Sequence, residues 1–246
     1  MLAVTILGNN SAIPAFNRHP TAQVLQTTDQ SFLIDCGEGT QMQMDAYKIR
    51  RSKINHIFIS HLHGDHYFGL IGLLTSMGLL SRKNELHLFA PSELKQIIEL
   101  QLRVADAHLP YPLIFHAIEN DGIILEDKKI IVEAFKVIHR IECWGFLFRE
   151  KKNLRKVDPE KVNQYNVPSS FFEELHQGND FITSEGVIIE NKLLTHPAIP
   201  PKSYAYCADT VFNEAICEKI KNVDLLYHET TYLHALQARA LTRFHS

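Results

Sequence analysis

Four residues able to hold a metal fall within six positions, His61-Leu-His63-Gly-Asp65-His66. The apolar run before them, Ile54 to Ser60, reads as a strand. Imidazoles at i and i+2 leave the end of an extended chain on the same side, because strand side chains alternate. Gly64 then permits a sharp turn. Asp65 and His66 open the apolar segment Tyr67 to Leu74, which reads as a helix. Two pairs of ligands therefore converge on one small volume from the two sides of a turn. That pattern suits a pair of adjacent metal ions better than a surface loop that happens to be rich in histidine. Imidazole and carboxylate suit zinc, and the absence of nearby cysteine argues against a purely structural zinc site. Two metals about 3.5–4 Å apart lower the pKa of a shared water and can hold a phosphate oxygen, so this stretch alone supports a two-metal hydrolase of unspecified substrate.

The elements that must position this motif alternate between strand and helix. Strands are expected at 2–8, 21–27 and Ser31–Ile34, and the last ends at Asp35. The turn Asp35-Cys-Gly-Glu-Gly-Thr40 feeds a helix over 41–49, with Thr40 placed to cap it. After the motif come a strand over Glu85–Ala90 and a helix over Ser92–Ala105. Strands follow at 113–117, 123–125, 130–137 and 144–148. The segment 149–161 carries six basic and three acidic residues and reads as a solvated excursion. Phe171–Leu175 reads as a helical turn ended by Gly178. Strands are expected again at 186–194 and 203–207, then a helix over about 211–220 and a strand over 223–227. A faint repeat runs through this order: in each half a strand ends in Asp, a helix follows, and the next strand ends in His (Asp35 and His61; Asp209 and His228). Alternation of this kind implies an α/β layered fold, and a four-layer αβ/βα sandwich with its site at the sheet rim satisfies it.

Composition narrows the class. Of the 246 residues, 45% are hydrophobic and 22% charged, which argues against disorder and against a membrane protein. No apolar run approaches the roughly 20 residues of a membrane span, and the start carries no basic leader or cleavage pattern. Cys36, Cys143, Cys207 and Cys217 form no CxxC pair, so a reduced, cytoplasmic compartment is expected. The net charge of −3 gives no global signal for nucleic acid, and RNA binding would need a local basic patch.

With these motifs in place the sequence resembles the metallo-β-lactamase superfamily. Ile59 to Leu74 narrows the resemblance to the ribonuclease Z branch, the tRNA 3′-end processing endonucleases. Leu7-Gly8, Arg18, Phe135-Lys-Val-Ile-His139, Asp209-Thr210, His228-Glu229-Thr230 and Arg243-Phe-His245-Ser246 follow in the family's order. The resemblance implies that His61, His63 and His139 bind one zinc, that Asp65 and His66 bind a second, and that Asp209 bridges them. It implies a general-base or water-holding role for Asp65, and assistance at the leaving group by Glu229 and His245. It further implies precursor tRNA as substrate, a homodimer, and one metallo-hydrolase domain spanning 1–246 with an RNA-binding arm at about 149–178. Family members continue past Ser246 with a helix and a strand bearing one more zinc-binding His, so either the given sequence is a piece of a longer chain or the expected second site is one ligand short. The family's arm carries a Gly-Pro turn, whereas Val167-Pro168-Ser169 stands here.

Each role has a plainer counterpart. Taken alone, His139 fits a core or surface imidazole as well as a ligand, Asp209 fits a helix cap, and Glu229 fits a solvated carboxylate. A hydrolase of small phosphodiesters or thioesters on the same fold, and a non-catalytic RNA-binding homologue, stand as alternative functions.

Overall fold

Alternating apolar residues in the first half assemble a six-stranded sheet in the computed structural model, which describes residues 2–13 and 15–246. Its strands lie in chain order: β1 (Ala3–Gly8), β2 (Ala22–Gln26), β3 (Ser31–Ile34), β4 (Ile54–Phe58), β5 (Leu86–Ala90) and β6 (Leu113–Ala117). The first three pair antiparallel and β3 to β6 pair parallel. Parallel neighbours need a crossover. The crossovers are α1 (Thr40–Ala46), then α2 (Gly64–Tyr67) with α3 (Leu70–Leu79), then α4 (Glu93–Val104). Met44, Leu73, Leu74, Met77, Leu94 and Ile98 of these helices bury against Ile54, Ile57, Leu86 and Leu88.

Strand alternation sends Phe32 and Phe58 to the opposite face, where a second sheet meets them. Its order is β15 (Leu225–His228), β14 (Ser203–Cys207), β9 (Trp144–Glu150), β8 (Ile130–Lys136) and β7 (Gly122–Glu126). Phe58 lies 5.5 Å from Phe146 and meets Phe148 edge-on at 5.3 Å, while Phe32 is 5.7 Å from Phe148. Full burial of each such ring is worth about 1.5–3 kcal/mol. With α8 (Glu214–Lys219) and α9 (Gln237–Arg243) in the second half, the layers form the expected four-layer αβ/βα sandwich.

The chain divides into two compact units. One comprises Met1–Leu125, Val132–Phe148 and Ser203–Ser246, and the other comprises Glu126–Ile131 and Arg149–Lys202. The second has its own core of Val162, Val167, Leu175, Ile189 and Leu194. Two small ladders build it: β10 (Lys156–Val157) with β13 (Thr195–His196), and β11 (Phe181–Ile182) with β12 (Ile188–Ile189). Its helices are α5 (Pro159–Gln164), α6 (Phe172–Gln177) and α7 (Asn191–Leu194). Gly178 ends α6 in the left-handed region, as the sequence suggests. Among the described residues no helix is long and apolar enough to cross a membrane.

Local departures from the sequence reading have identifiable causes. Residues 149–161 are not a plain solvated excursion: they contain β10 and the start of α5, because Asp158 accepts from the amides of Glu160 and Lys161 at 3.0 and 3.1 Å. The strand expected over 186–194 shrinks to two residues, since the Asn191 amide donates to Asp180 at 2.7 Å and starts α7 instead. Thr40 does not cap α1. Gly39 does so in a left-handed conformation, and the Thr40 hydroxyl donates to the Gly37 carbonyl. The helix expected over 67–74 is broken between α2 and α3, where the Gly69 amide donates to the Cys36 carbonyl at 2.9 Å. A Cβ at Gly69 would stand 2.1 Å from the Gly37 carbonyl oxygen, so only glycine fits this crossing. The helix expected from 211 begins at Glu214, capped by Asn213.

Candidate metal centre

The motif hangs from the end of β4, pinned on both sides. The Ile59 amide donates to Phe89 and the Trp144 amide to Ser60, each at 2.9 Å. The amide of Cys36 donates to the His66 carbonyl at 2.7 Å, which ties the loop after β3 to the turn that carries the motif. The deepest member of this assembly is Asp35, fully buried and left-handed at φ 56. Such a backbone costs about 1–2 kcal/mol for a residue with a Cβ. Its carboxylate accepts from the Ser60 amide at 2.7 Å, the Ser60 hydroxyl at 2.9 Å, His66 Nδ1 at 2.7 Å and the Tyr206 hydroxyl at 2.5 Å.

These bonds decide where the imidazole protons sit. An ionised carboxylate only accepts, so His66 Nδ1 carries the proton it gives to Asp35. The Ser60 hydroxyl spends its single proton on Asp35, so it accepts from His61 Nδ1 at 3.0 Å. His139 Nδ1 donates to the Phe244 carbonyl at 2.8 Å. In each of the three rings Nε2 is thereby turned inward. His61 Nε2 and His139 Nε2 lie 3.0 and 3.1 Å from His63 Nδ1, and 3.7 and 3.8 Å from Asp209 Oδ2. The four donor atoms lie within 4.8 Å of one another. Asp209 Oδ1 faces the other way, 3.6 Å from His66 Nε2, and Asp65 Oδ2 is 3.8 Å from the same nitrogen. Asp209 thus turns one oxygen to each group.

A second cluster adjoins the first. His245 Nδ1 lies 2.8 Å from Glu229 Oε1, and His245 Nε2 is 3.9 Å from Asp209 Oδ2. Glu229 is buried, and it is fixed by the amides of Thr210 at 2.9 Å and Thr231 at 3.1 Å. The sequence-selected residues His61, His63, Asp65, His66, His139, Asp209, Glu229 and His245 are therefore all brought together. His228 is not among them: its Nδ1 turns to the Glu229 carbonyl at 2.7 Å, so the internal repeat does not extend to its terminal histidines. Asn213, not Asp209, caps α8. Sequence reasoning missed Ser60 and Tyr206, which share Asp35, and Arg140, whose Nη2 stands 3.0 Å from His63 Nε2. No local pattern marks them.

Electrostatics follow from this packing. Burial keeps His61 well below the usual histidine range, and His63 and His139 are lowered for the same reason. Burial also works against a charged His66, but Asp35 and Asp209 outweigh it and raise its pKa well above 6.5. Burial would raise Asp209, yet its contacts with His66, His61 and His245 hold it below the usual carboxylate range. The Glu229 hydrogen bond raises His245 above its ordinary value and favours the imidazolium.

The residues fit a metal. Nitrogen lone pairs and a carboxylate converging within hydrogen-bond distance repel one another unless a cation or protons lie among them. Rings anchored through Nδ1 to a hydroxyl, a carboxylate and a carbonyl are also the arrangement that orients metal-binding histidines. The donor set of imidazole and carboxylate suits zinc and related divalent ions. Beside the cluster, a cleft of about 540 Å³ includes Asp65, Asp209, Glu229, His245 and the cationic Arg18, room for a charged substrate group.

Comparison with known proteins places this geometry. The metallo-β-lactamase fold protein YhfI from Bacillus subtilis superposes with a TM-score of 0.62 at 17% identity, over 95% of this chain and 74% of that one. The chain is a protein of the metallo-β-lactamase fold. A family model described as Anti-Pycsar protein Apyc1 matches residues 2–142. Over nearly the full length, the chain is 43% identical to the ribonuclease Z of Parabacteroides distasonis, covering 99% of this chain and 81% of that protein. It is 42% identical to the ribonuclease Z of Bacteroides fragilis strain YCH46, covering 98% and 80%. The human tRNase Z short form (ELAC1) superposes with a TM-score of 0.72 at 25% identity, over 100% of this chain and 84% of that one. The chain belongs to the ribonuclease Z family.

Proposed function

We propose that this protein is a zinc-dependent endoribonuclease that removes the 3′ trailer from precursor tRNA. The observation that carries the reading is Asp209, whose Oδ2 faces His61 and His139 and whose Oδ1 faces His66, in a chain of this family. His61, His63, His139 and Asp209 would hold one zinc, and Asp65, His66 and Asp209 would hold a second. Bound there, the metals supply Lewis acidity, lowering the pKa of water and offsetting phosphate charge.

The remaining steps belong to side chains. Arg18, at the cleft wall, offers a cation to the scissile phosphate. Asp65 holds the attacking water and accepts its proton. As phosphorus is attacked, negative charge grows on the departing 3′ oxygen, and His245 delivers its Nε2 proton there while Glu229 keeps Nδ1 occupied. A positioned acid of this kind is worth about 10²–10⁴-fold in rate. The unit containing 149–202, with the basic run 149–161, serves as the arm that grips tRNA by shape and backbone. The working form is a cytoplasmic homodimer.

Cleavage of a precursor tRNA with added zinc tests this, comparing wild type with Asp65→Ala. Trailer release by wild type and its loss in the variant are expected. No release by wild type would sink the assignment. Hydrolysis of small phosphodiesters or thioesters, with no salt-sensitive tRNA affinity, would move the protein to the small-substrate alternative. A chain that binds tRNA but takes up one zinc or none fits the non-catalytic alternative.

A further inference from the structure

Charge is spread unevenly over this chain. Against a net −3 overall, a cleft of about 720 Å³ remote from the metal centre is lined by five basic side chains and one acidic. It lies where α1 and α3 end. Lys48, Arg50 and Arg51 form one wall, Arg82 and Lys83 the other, over an apolar floor that includes half-buried Ile49 and exposed Leu80.

Two of the five cations are already engaged. Arg51 pairs with Asp45, and Arg82 donates to the Ile54 and Asn84 carbonyls, both at 2.9 Å, and to Asn55 Oδ1 at 2.8 Å. Lys48, Arg50 and Lys83 are exposed and have no anionic partner among the described residues. Compensation of two helix ends accounts for a cation at each, not for three unpaired ones converging on a cleft. The backbone is also unusual here: Lys48 and Ser81, which follow the two helices, are both left-handed, at φ 57 and 64.

The cleft's position speaks to the size of its occupant. It sits at the Ile54 end of β4, and His61 follows the other end. About seven residues of extended chain at roughly 3.3 Å each separate the two by on the order of 20 Å. That distance lies beyond the Debye length of about 8 Å at physiological salt, so these cations cannot assist at the metal centre through the field alone. A polymer bearing a phosphate at every residue can occupy both places at once.

We propose that this cleft is a second RNA-binding site, which holds phosphodiester backbone of the substrate on the order of 20 Å from the scissile bond. The proposal rests on the RNA-processing reading above. Lys48, Arg50 and Lys83 contact phosphates, and the apolar floor receives a ribose or base edge.

The test measures the affinity of fluorescein-labelled precursor tRNA by anisotropy across a salt series. The zinc-loaded full chain carries Asp65→Ala in both arms so that the RNA survives. Adding Lys48→Gln, Arg50→Gln and Lys83→Gln together should weaken binding about ten-fold at low salt. It should also reduce the log–log salt slope by roughly 2–3, from three lost phosphate contacts. Unchanged affinity and slope would overturn the proposal. So would a lowered melting temperature with unchanged affinity, which would mean that the cations serve only the helix ends. Adenosine monophosphate binding with the same loss in the triple variant, and displacing all of the cleft-dependent RNA affinity, would make this a mononucleotide pocket and overturn the polymer assignment. Cleavage by wild type decides the functional reading separately. If wild type cleaves while the triple variant binds equally well, only this proposal falls.

Discussion

Replacing Asp35 by Asn changes one atom in a fully buried carboxylate, and the structure says what that atom does. One oxygen receives the Ser60 amide, and the other receives the Ser60 hydroxyl, the Tyr206 hydroxyl and His66 Nδ1. Asn can keep its oxygen toward the Ser60 amide, which puts its NH₂ against the remaining three. The hydroxyls can rotate and accept. The His66 ring cannot, so its Nδ1 must lose its proton to accept, and the neutral ring then carries the proton on Nε2. That nitrogen faces Asp209 and Asp65 at 3.6 and 3.8 Å, so the ring, with Nδ1 spent as an acceptor, can no longer free Nε2 for a cation in the second group. Loss of an outer partner of this type lowers metal affinity about 10–100-fold. Buried donors left imperfectly matched cost about 1–3 kcal/mol of stability. Calorimetric zinc titration of Asp35→Asn should show weakening confined mainly to one of two sites, because His63, His139 and Asp209 do not touch Asp35. Tyr206→Phe keeps the carboxylate charge and the His66 bond, and should bind both ions within a few-fold of wild type. If Asp35→Asn binds two zincs as tightly as wild type, the proton assignment of His66 is wrong.

Three further expectations are independent of it. His245→Ala should lower kcat for trailer cleavage about 10²–10⁴-fold without reducing bound zinc below the wild-type count; a loss of less than ten-fold would remove His245 as the acid. Burial and then His87 hold the His116 pKa below its ordinary 6.5. As pH falls below that value the unfolded chain takes up a proton before the native one does, so stability declines until the folded pKa is reached. His116→Phe, which can keep the stacking now made on Phe89 at 4.4 Å, should flatten the fall in melting temperature between about pH 7 and 5.5; an equal slope in both proteins refutes this. Asn191→Leu strips partners from the carbonyls of Leu175 and Asn179, now 2.9 and 3.0 Å from its amide. About 1–3 kcal/mol of local stability should go with them, seen as faster hydrogen exchange in 156–196, and unchanged exchange there would contradict it.

Much of the sandwich was legible because its strands are short apolar runs bounded by turn residues. β3 and the site strand β4 stand within a residue or so of their expected starts. The four candidate ligands of the motif stand out for the same local reason, their spacing at a strand end. His139, Asp209, Glu229 and His245 came through family resemblance, since nothing in their immediate neighbours separates a ligand from a cap or a core histidine. Asp35 was visible as a turn residue, but not as the group that fixes ring protons. Its partners Ser60, His66 and Tyr206 lie 25, 31 and 171 residues away. The 186–194 segment misled because isoleucines at 188 and 189 favour a strand, while the bond from the Asn191 amide to Asp180, eleven residues back, turns the chain into a helix.

The metal centre draws on both halves of the sandwich: the motif follows β4 of one sheet, and Asp209 follows β14 of the other. A cation held between them would therefore be a fastener as well as a reagent. It has no equivalent binding place once the sheets separate, so free metal shifts the folding equilibrium by mass action, by about 2.7 kcal/mol when its concentration is one hundred times Kd. The supply of metal in the surroundings would then set how long the protein lasts as well as how fast it works.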